Sequence, residues 1–308
     1  MKAKGLLMTA AGLVLVVGGY LWWSKSSASS AAASVTTSAK STNAQAQTSS
    51  QYENLLDADI PWQQRLETVK GIESASLSPL DRDYLYSTFS HQPKANTEDW
   101  WVVVNEIMDR LARIDEDSAR YTSALLATMN DKELNEVVRD YAVQHLGNYY
   151  MPVGESLIRR DSSSLNQVLE TFQQLVTDPE LAETSIPGTT LNVIVAMKHQ
   201  DVEPELISST VSHLTPWIKQ VVTGDSAVPL STRVTAINSA GDFQLSSLTD
   251  TIRTLFNSED LDPTIRLNAI AALGQLGTSD DLAALEALAS SSSKFRFAAQ
   301  SALKNLSN

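Results

Sequence analysis

The residues Arg139, Asp140, Tyr141 and His145 form the densest group of chemically active side chains in this sequence. His145 lies four residues after Tyr141 and six after Arg139. If a cleft gathered these groups, it could support an enzyme, or an accessory subunit of one, that acts on the cell envelope. The alternative is structural, because Arg139 shares its sequence context with arginines that recur later in the chain. In that role it would pair with an acid of the adjacent unit and bond the carbonyls at a helix end.

Two acidic groups could imitate metal sites. His199 is followed by Asp201, Glu203 and Glu205, but no second histidine stands at helical spacing from it, so a solvated loop is the better interpretation. The run 115–117 is Asp-Glu-Asp, yet it lacks the glycine and the distal glutamate of a calcium loop. Carboxylates gathered at the start of a helix explain that run better.

No strong catalytic motif is present in the sequence. It has no glycine-rich phosphate loop, no paired-histidine zinc helix and no serine at a nucleophile elbow. It also has no cysteine, which excludes disulfides, thiolate zinc sites and cysteine nucleophiles. We therefore expect no catalytic residue, no cofactor and no metal site, and a protein that is not an enzyme.

Three tryptophans are the candidate partner-binding residues, namely Trp100, Trp101 and Trp217, since interface hot spots favour tryptophan. Adjacent residues of a helix point about 100° apart, so Trp100 and Trp101 cannot both occupy the centre of one narrow face. The alternative is that each ring packs against a neighbouring layer, because large aromatic side chains are mostly buried.

The elements that would position these residues follow an apolar amino terminus. Gly5 to Trp23 carries no charge and comes after Lys2 and Lys4. That run exceeds a secretory signal core of about 7–15 residues and approaches the roughly 20 of a spanning helix. We expect residues 1–23 to be a transmembrane anchor of the bacterial inner membrane, with the rest of the chain in the periplasm.

Cleavage of the same segment as a signal peptide, near Ala28 or Ala33, is the alternative, and it would give a secreted protein. Residues 24–51 are rich in serine, alanine and threonine and are expected to be a disordered linker. Residues 1–51 hold four lysines and no acid, so the rest of the chain is even more acidic than the net charge of −13 indicates. That charge argues against nucleic acid as a partner.

An arginine followed three residues later by an alanine recurs at Arg139, Arg233, Arg266 and Arg296. A similar apolar phrase without the arginine begins at Thr190. Around Arg266 the apolar residues fall at helical spacing, which predicts an amphipathic helix. We expect Pro263 in its first turn, Gly277 in the left-handed conformation that ends it, and Thr278 or Ser279 as the cap of a second helix.

This phrase resembles the HEAT repeat, in particular the short bacterial kind first associated with phycobilin lyases. The residues that carry the resemblance are Pro263, Arg266, Ala269, Ile270, Leu273, Gly277, Asp281 and Leu285. The resemblance implies an all-α fold, an α-solenoid of HEAT-like helix pairs, in which the four arginines are structural repeat positions. The expected domains are the anchor, the linker, irregular helical repeats over 52–150 and HEAT-like repeats over 151–308.

The function that we expect from this architecture is protein–protein interaction, as a membrane-tethered, exported scaffold or adaptor whose partner is another protein. We expect the irregular repeats between Trp100 and Trp217 to form the surface that recognises a specific partner. Two other functions stay open on the sequence alone: the envelope enzyme with a cleft near Arg139, Asp140 and His145, and a structural spacer.

Overall fold

The computed structural model describes residues 50–57, 59–73, 77–90, 98–151 and 162–307, which form α-helices and short 3₁₀ turns without a β-strand. The helices in this part of the chain are α1 (Trp62–Lys70), α2 (Pro79–Ser87), α3 (Glu98–Ile114), α4 (Ser118–Asn130), α5 (Glu136–Tyr150), α6 (Ser162–Thr177), α7 (Ile186–His199), α8 (Pro204–Thr223), α9 (Leu230–Asp242), α10 (Thr249–Asn257), α11 (Pro263–Leu276), α12 (Leu282–Ser290) and α13 (Arg296–Leu306).

The helices fall into two compact units, whose boundary lies inside α9 between Ser239 and Ala240. In the first unit α1, α3, α5 and α7 pack side by side as one layer, and α4, α6 and α8 form a second layer. In the second unit α11 packs on both α10 and α13, and α12 packs on α13. Successive helices therefore pair and stack within each unit, as a repeat architecture requires.

A common register relates the helices of the first layer. Counted from Arg139 of α5, the residues at +3, +4, +7 and +8 are all buried, and in the second unit the same steps from Arg266 of α11 also reach buried residues. The same four steps from Trp100 reach the fully buried Val103, Val104, Ile107 and Met108. Trp100 therefore holds in α3 the place that an arginine holds in other repeats, and it too is buried.

The predicted all-α class is confirmed for the described residues, and their helices pair within each unit in a way consistent with the predicted α-solenoid. No helix among them is long and apolar enough to cross a membrane. The predicted anchor, 1–23, lies outside the described residues, as does nearly all of the predicted linker, 24–51.

The helix ends follow the local chemistry of the sequence, with one correction. The side chain of Asp262 accepts a hydrogen bond from the Thr264 amide at the start of α11, with Pro263 in the first turn. Thr278 and Asp281 form a capping box in the turn before α12. Gly277, expected in the left-handed region, is extended instead, at φ −64°. A Cβ at Gly277 would lie 2.5 Å from the Leu273 carbonyl oxygen, so a close approach explains the glycine there.

Glycines also set the distance between neighbouring helices within each unit. Gly147 of α5 faces Val193 of α7, and a Cβ at Gly147 would collide with the Val193 side chain. A Cβ at Gly274 of α11 would lie 2.6 Å from the Cα of Ala302 in α13. Both glycines stand eight residues after a repeat arginine, Arg139 and Arg266. The backbones of neighbouring helices therefore approach more closely than any larger side chain at these points permits.

Candidate functional site

Three of the repeat arginines join the two helices of a pair. Arg139 Nε donates to the carbonyl oxygen of Met129 at 3.0 Å, and Arg266 Nε donates to that of Phe256 at 2.9 Å. Arg233 uses Nη2 on the Val222 oxygen at 3.2 Å. Each acceptor lies in the last turn of the preceding helix, where carbonyls lack a partner within the helix. These arginines therefore cap the carboxyl ends of α4, α8 and α10.

Arg296 differs from the other repeat positions. Its side chain is exposed and lies over the ring of Phe297, with 4.6 Å between the guanidinium carbon and the ring centre. The bond to the preceding helix comes instead from Gln300 Nε2, which lies 3.4 Å from the carbonyl oxygen of Ala289 in α12. In the last repeat, Gln300 therefore replaces the arginine as the side chain that bonds the end of the preceding helix.

Arg65 is a repeat position that the sequence pattern missed. Its Nη1 lies 3.4 Å from the carbonyl oxygen of Leu55, at the end of the 3₁₀ turn that precedes α1. The pattern failed there because threonine, not alanine, stands three residues after the arginine. A proline four residues before the arginine was the available signal, since Pro61 precedes Arg65 as Pro229 precedes Arg233.

Within each unit, an acid in a turn between helices pairs with an arginine of an earlier helix. Arg253 of α10 makes a two-pronged contact with Asp281, through Nε at 2.7 Å and Nη2 at 3.0 Å. Arg82 of α2 pairs with the buried Asp115 at 3.0 Å, and the Tyr86 hydroxyl donates to the same carboxylate at 2.7 Å. These pairs link α10 to the turn before α12, and α2 to the turn before α4.

The polar group around Arg139 does not converge on one point. Arg139 bonds the end of α4, whereas Asp140 accepts from the Ser185 hydroxyl at 3.2 Å, next to the start of α7. His145 Nε2 lies 2.9 Å from Asn105 Oδ1 of α3. Burial raises the pKa of Asp140, and hydrogen bonds from Thr189, Gln144 and Ser185 offset part of that rise. The three side chains tie α5 to three different helices and do not surround a common cleft.

His145 is held in its neutral form. Burial lowers its pKa from 6.5 to about 4; Asp109 opposes this shift and Arg113 adds to it. Because the Asn105 amide oxygen can only accept, Nε2 carries the proton of the neutral ring. The imidazole therefore serves as a neutral bridge between α3 and α5.

Acidification is expected to weaken the protein through His145. The unfolded chain binds the histidine proton below about pH 6.5, whereas the folded chain resists it down to about pH 4, so the free energy of unfolding falls across that window by roughly 2–3 kcal/mol. Urea unfolding at several pH values measures this loss. His145→Gln keeps a donor for Asn105 and should remove this component, while the titration of carboxylates continues. An unchanged pH profile in that variant would refute the assignment.

The two acidic groups lie in turns that precede helices. Asp117 accepts from the Arg120 amide at 2.9 Å and caps α4. Asp201 and Glu203 lie in the turn between α7 and α8 with φ values of 54° and 32°. Among the described residues, no three histidine or acidic side chains are arranged to hold a metal ion.

The outward face of α3, α5 and α7 is the candidate interaction surface. It presents the residues at +2, +5 and +9 of the common register, which point away from the second layer. On α3 this face includes Val102, whose side chain is 37% exposed. On α5 and α7 it includes the half-buried Tyr141 and the exposed Asn148 and Asn192. Tyrosine is among the residues that are enriched where proteins bind one another.

The tryptophans differ in accessibility. Trp100 is 2% exposed and belongs to the core, so its ring is not available to a partner. Trp101 follows it on α3 and is half-buried beside the candidate interaction surface. Trp217 is half-buried on α8, in the other layer. The three rings therefore do not form one patch.

Residues 214–304 match the family model for HEAT repeats. None of the curated proteins matches this sequence. A solved structure of human deoxyhypusine hydroxylase in complex with glycerol is similar over 83% of this chain and 94% of its own, with 15% identity and a TM-score of 0.31. The expectation that the chain is not an enzyme is corrected by this comparison, because the matched protein is itself an enzyme. At that TM-score the likeness supplies no argument for a hydroxylase activity in this chain.

The family comparison covers the part of the chain in which the arginine phrase is most regular. It includes Arg233, Arg266 and Arg296 and ends within α13. Repeats of this type generally mediate contacts between proteins. The resemblance is confirmed at the level of the family: residues 214–304 of this chain are HEAT repeats.

Proposed function

We propose that this chain is a membrane-tethered, exported scaffold or adaptor that binds a protein partner through the outward face of α3, α5 and α7. The observation that carries the proposal is the mixed apolar and amide character of that face, which presents the exposed Val102 and Asn192 and the half-buried Tyr141. The HEAT repeats at 214–304 support it, since repeats of this type generally mediate protein–protein interaction.

The tether and the compartment rest on the sequence. Gly5 to Trp23 carries no charge, with Lys2 and Lys4 before it and a linker rich in serine, alanine and threonine after it. Such an anchor would keep the binding face outside the cytoplasm, near the inner membrane. Amino-terminal sequencing of the mature protein tests the anchor. A first residue near Ser29 or Ser34 would show a cleaved signal and would remove the tether from the proposal.

Site-specific photo-crosslinking in cells tests the binding face. A photoreactive residue placed at Val102, Asn148 or Asn192 is expected to give a discrete adduct with one protein, at least tenfold above the background. Ser123 and Glu170 are exposed positions on α4 and α6, in the other layer, and they provide matched controls. Equal adducts from the control positions, or none from the three test positions, would overturn the proposal.

A further inference from the structure

Amide side chains occupy one position on four helices of the first unit. On α7 the common register is counted from Pro187, because the residues three, four and seven steps after it are buried. Position +5 then holds Asn105 on α3, Gln144 on α5, Asn192 on α7 and Asn238 on α9. The same position holds Lys70 on α1 and Ala271 on α11. The amide row therefore consists of these four residues.

Close contacts place the four helices of the amide row side by side. The helix α3 packs on α5, and Gly147 of α5 faces Val193 of α7. Gly188 of α7 continues the order, since a Cβ there would lie 3.4 Å from the Cα of Thr232 in α9. Packed helices lie roughly 8–10 Å apart, so successive amides of the row are separated by about that distance.

Three amides of the row keep hydrogen-bonding groups for a ligand. Asn192 is exposed, and its amide has no bond to another described residue. Gln144 is exposed too, and only its Nε2 is engaged, by donating to Asp140 at 2.8 Å. Asn105 accepts from His145 through Oδ1, which leaves its two N–H groups without an acceptor among the described residues. Each of the three can therefore donate to a ligand, accept from it, or both.

An extended polypeptide segment matches a row of amides at this spacing. A helix bonds its own backbone N–H and C=O groups, whereas an isolated extended segment leaves both unpaired. A side-chain amide offers a donor and an acceptor, which complement these two groups. Because an extended chain advances about 3.3 Å per residue, every third residue meets the next helix after about 10 Å. Val102 and Tyr141, at position +2, lie beside the row and offer apolar contact to the side chains of such a segment.

We infer that the partner binds this face as an extended segment of about nine residues, with its backbone bonded at every third residue by the amide row. This inference rests on the proposed function, since it takes the same outward face and extends it from α7 to α9. The amides bond atoms that every residue carries, so the row fixes the shape and direction of the segment. Selection among side chains is left to the apolar positions, including Val102 and Tyr141.

Methylation of the backbone of a bound peptide tests the spacing. A library of random nonapeptides displayed on phage is selected against the full chain in detergent micelles, and the most enriched peptide is synthesised. Methylation of one backbone nitrogen at a time removes one donor at each position. We expect affinity losses of about fivefold or more that recur at every third residue, because each amide of the row meets one residue in three. Losses without that period, or a library that yields no binding peptide, would overturn the inference.

Substitutions in the protein test whether the enriched peptide lies on the row. Asn192→Ala and Gln144→Ala should each weaken its binding about fivefold or more, and both residues are exposed, so the core stays intact. Ser123→Ala, at an exposed position on α4, is the control and should leave the affinity unchanged. Equal affinities in the three variants would place the peptide elsewhere and overturn the inference.

The inference and the proposed function fail in different ways. Discrete adducts from the crosslinking positions in cells, combined with the absence of a threefold period in the peptide, would leave the scaffold in place and assign it a partner that docks through a folded surface. Absence of adducts from all the test positions would remove the outward face itself as a binding surface.

Discussion

Replacing Asp281 with alanine is expected to lower the free energy of unfolding of the unit that begins at Ala240 by roughly 2–4 kcal/mol. Asp281 is 6% exposed and accepts two bonds from Arg253, and its carboxylate also accepts from the Thr278 amide at 2.8 Å. The substitution removes both bonds from Arg253 to Asp281, leaving that guanidinium only Asp250 and Thr278, and it opens the capping box before α12. Chemical denaturation followed by circular dichroism measures the loss.

Asp280 provides the matched control for Asp281. It is the adjacent residue, carries the same charge and is exposed, so Asp280→Ala should change stability by no more than about 0.5 kcal/mol. The hydrogen bond from Arg253 lowers the pKa of Asp281. The stability that it contributes is therefore present above the unfolded pKa of about 4 and is lost as the pH falls through the lowered folded value. Equal losses in the two variants would mean that net charge, and not this pair, is responsible.

The substitution Gly274→Ala is expected to destabilise the protein by about 1–3 kcal/mol, against the sign that helix propensity predicts. Inside a helix, glycine to alanine normally stabilises by roughly 0.5–1 kcal/mol. At Gly274, however, the added Cβ would lie 2.6 Å from the Cα and 3.0 Å from the carbonyl oxygen of Ala302. Since these are backbone atoms, α13 as a whole must move away from α11.

Thermal unfolding and the hydrogen exchange of α13 amides measure that displacement. In the Gly274→Ala variant, the α13 amides should exchange faster than those of α11, because α13 loses its close contact. Gly71→Ala serves as the control, since a Cβ there meets only carbonyl oxygens at 3.5 Å. A Gly274→Ala protein as stable as the original would show that the two helices are not held at this distance.

The helix pairs of the second unit can be predicted from the sequence because the residues that define them lie close together along the chain. Pro263 and Asp262 set the start of α11, and the steps from Arg266 to Ala269 and Leu273 define its buried face. The role of Trp100 is not readable in the same way. A large aromatic ring replaces the arginine at this position. Only the burial of the residues that follow Trp100 shows that it is equivalent to a repeat arginine. The function of Gly274 likewise depends on Ala302, a residue of another helix.

The candidate catalytic group shows why proximity in sequence misleads. Arg139, Asp140 and His145 lie within seven residues of each other, but on a helix the second and third point about 100° and 240° around the axis from the first. Helical geometry alone therefore predicts that they diverge, and each bonds a different helix. The bond from Arg65 to the Leu55 carbonyl oxygen could not be foreseen, because it depends on how the turn before α1 packs against that helix.

The arginine-to-carbonyl bonds have a consequence for how the chain folds. Arg139 and Arg266 each reach a carbonyl only ten residues earlier, and Arg233 one that is eleven residues earlier. Closing a loop of about ten residues takes roughly 10–100 ns, far less than the search for distant contacts. Each helix hairpin can thus form its own arginine-to-carbonyl bond before the neighbouring helices have folded. Folding can therefore begin at several points along the chain at once.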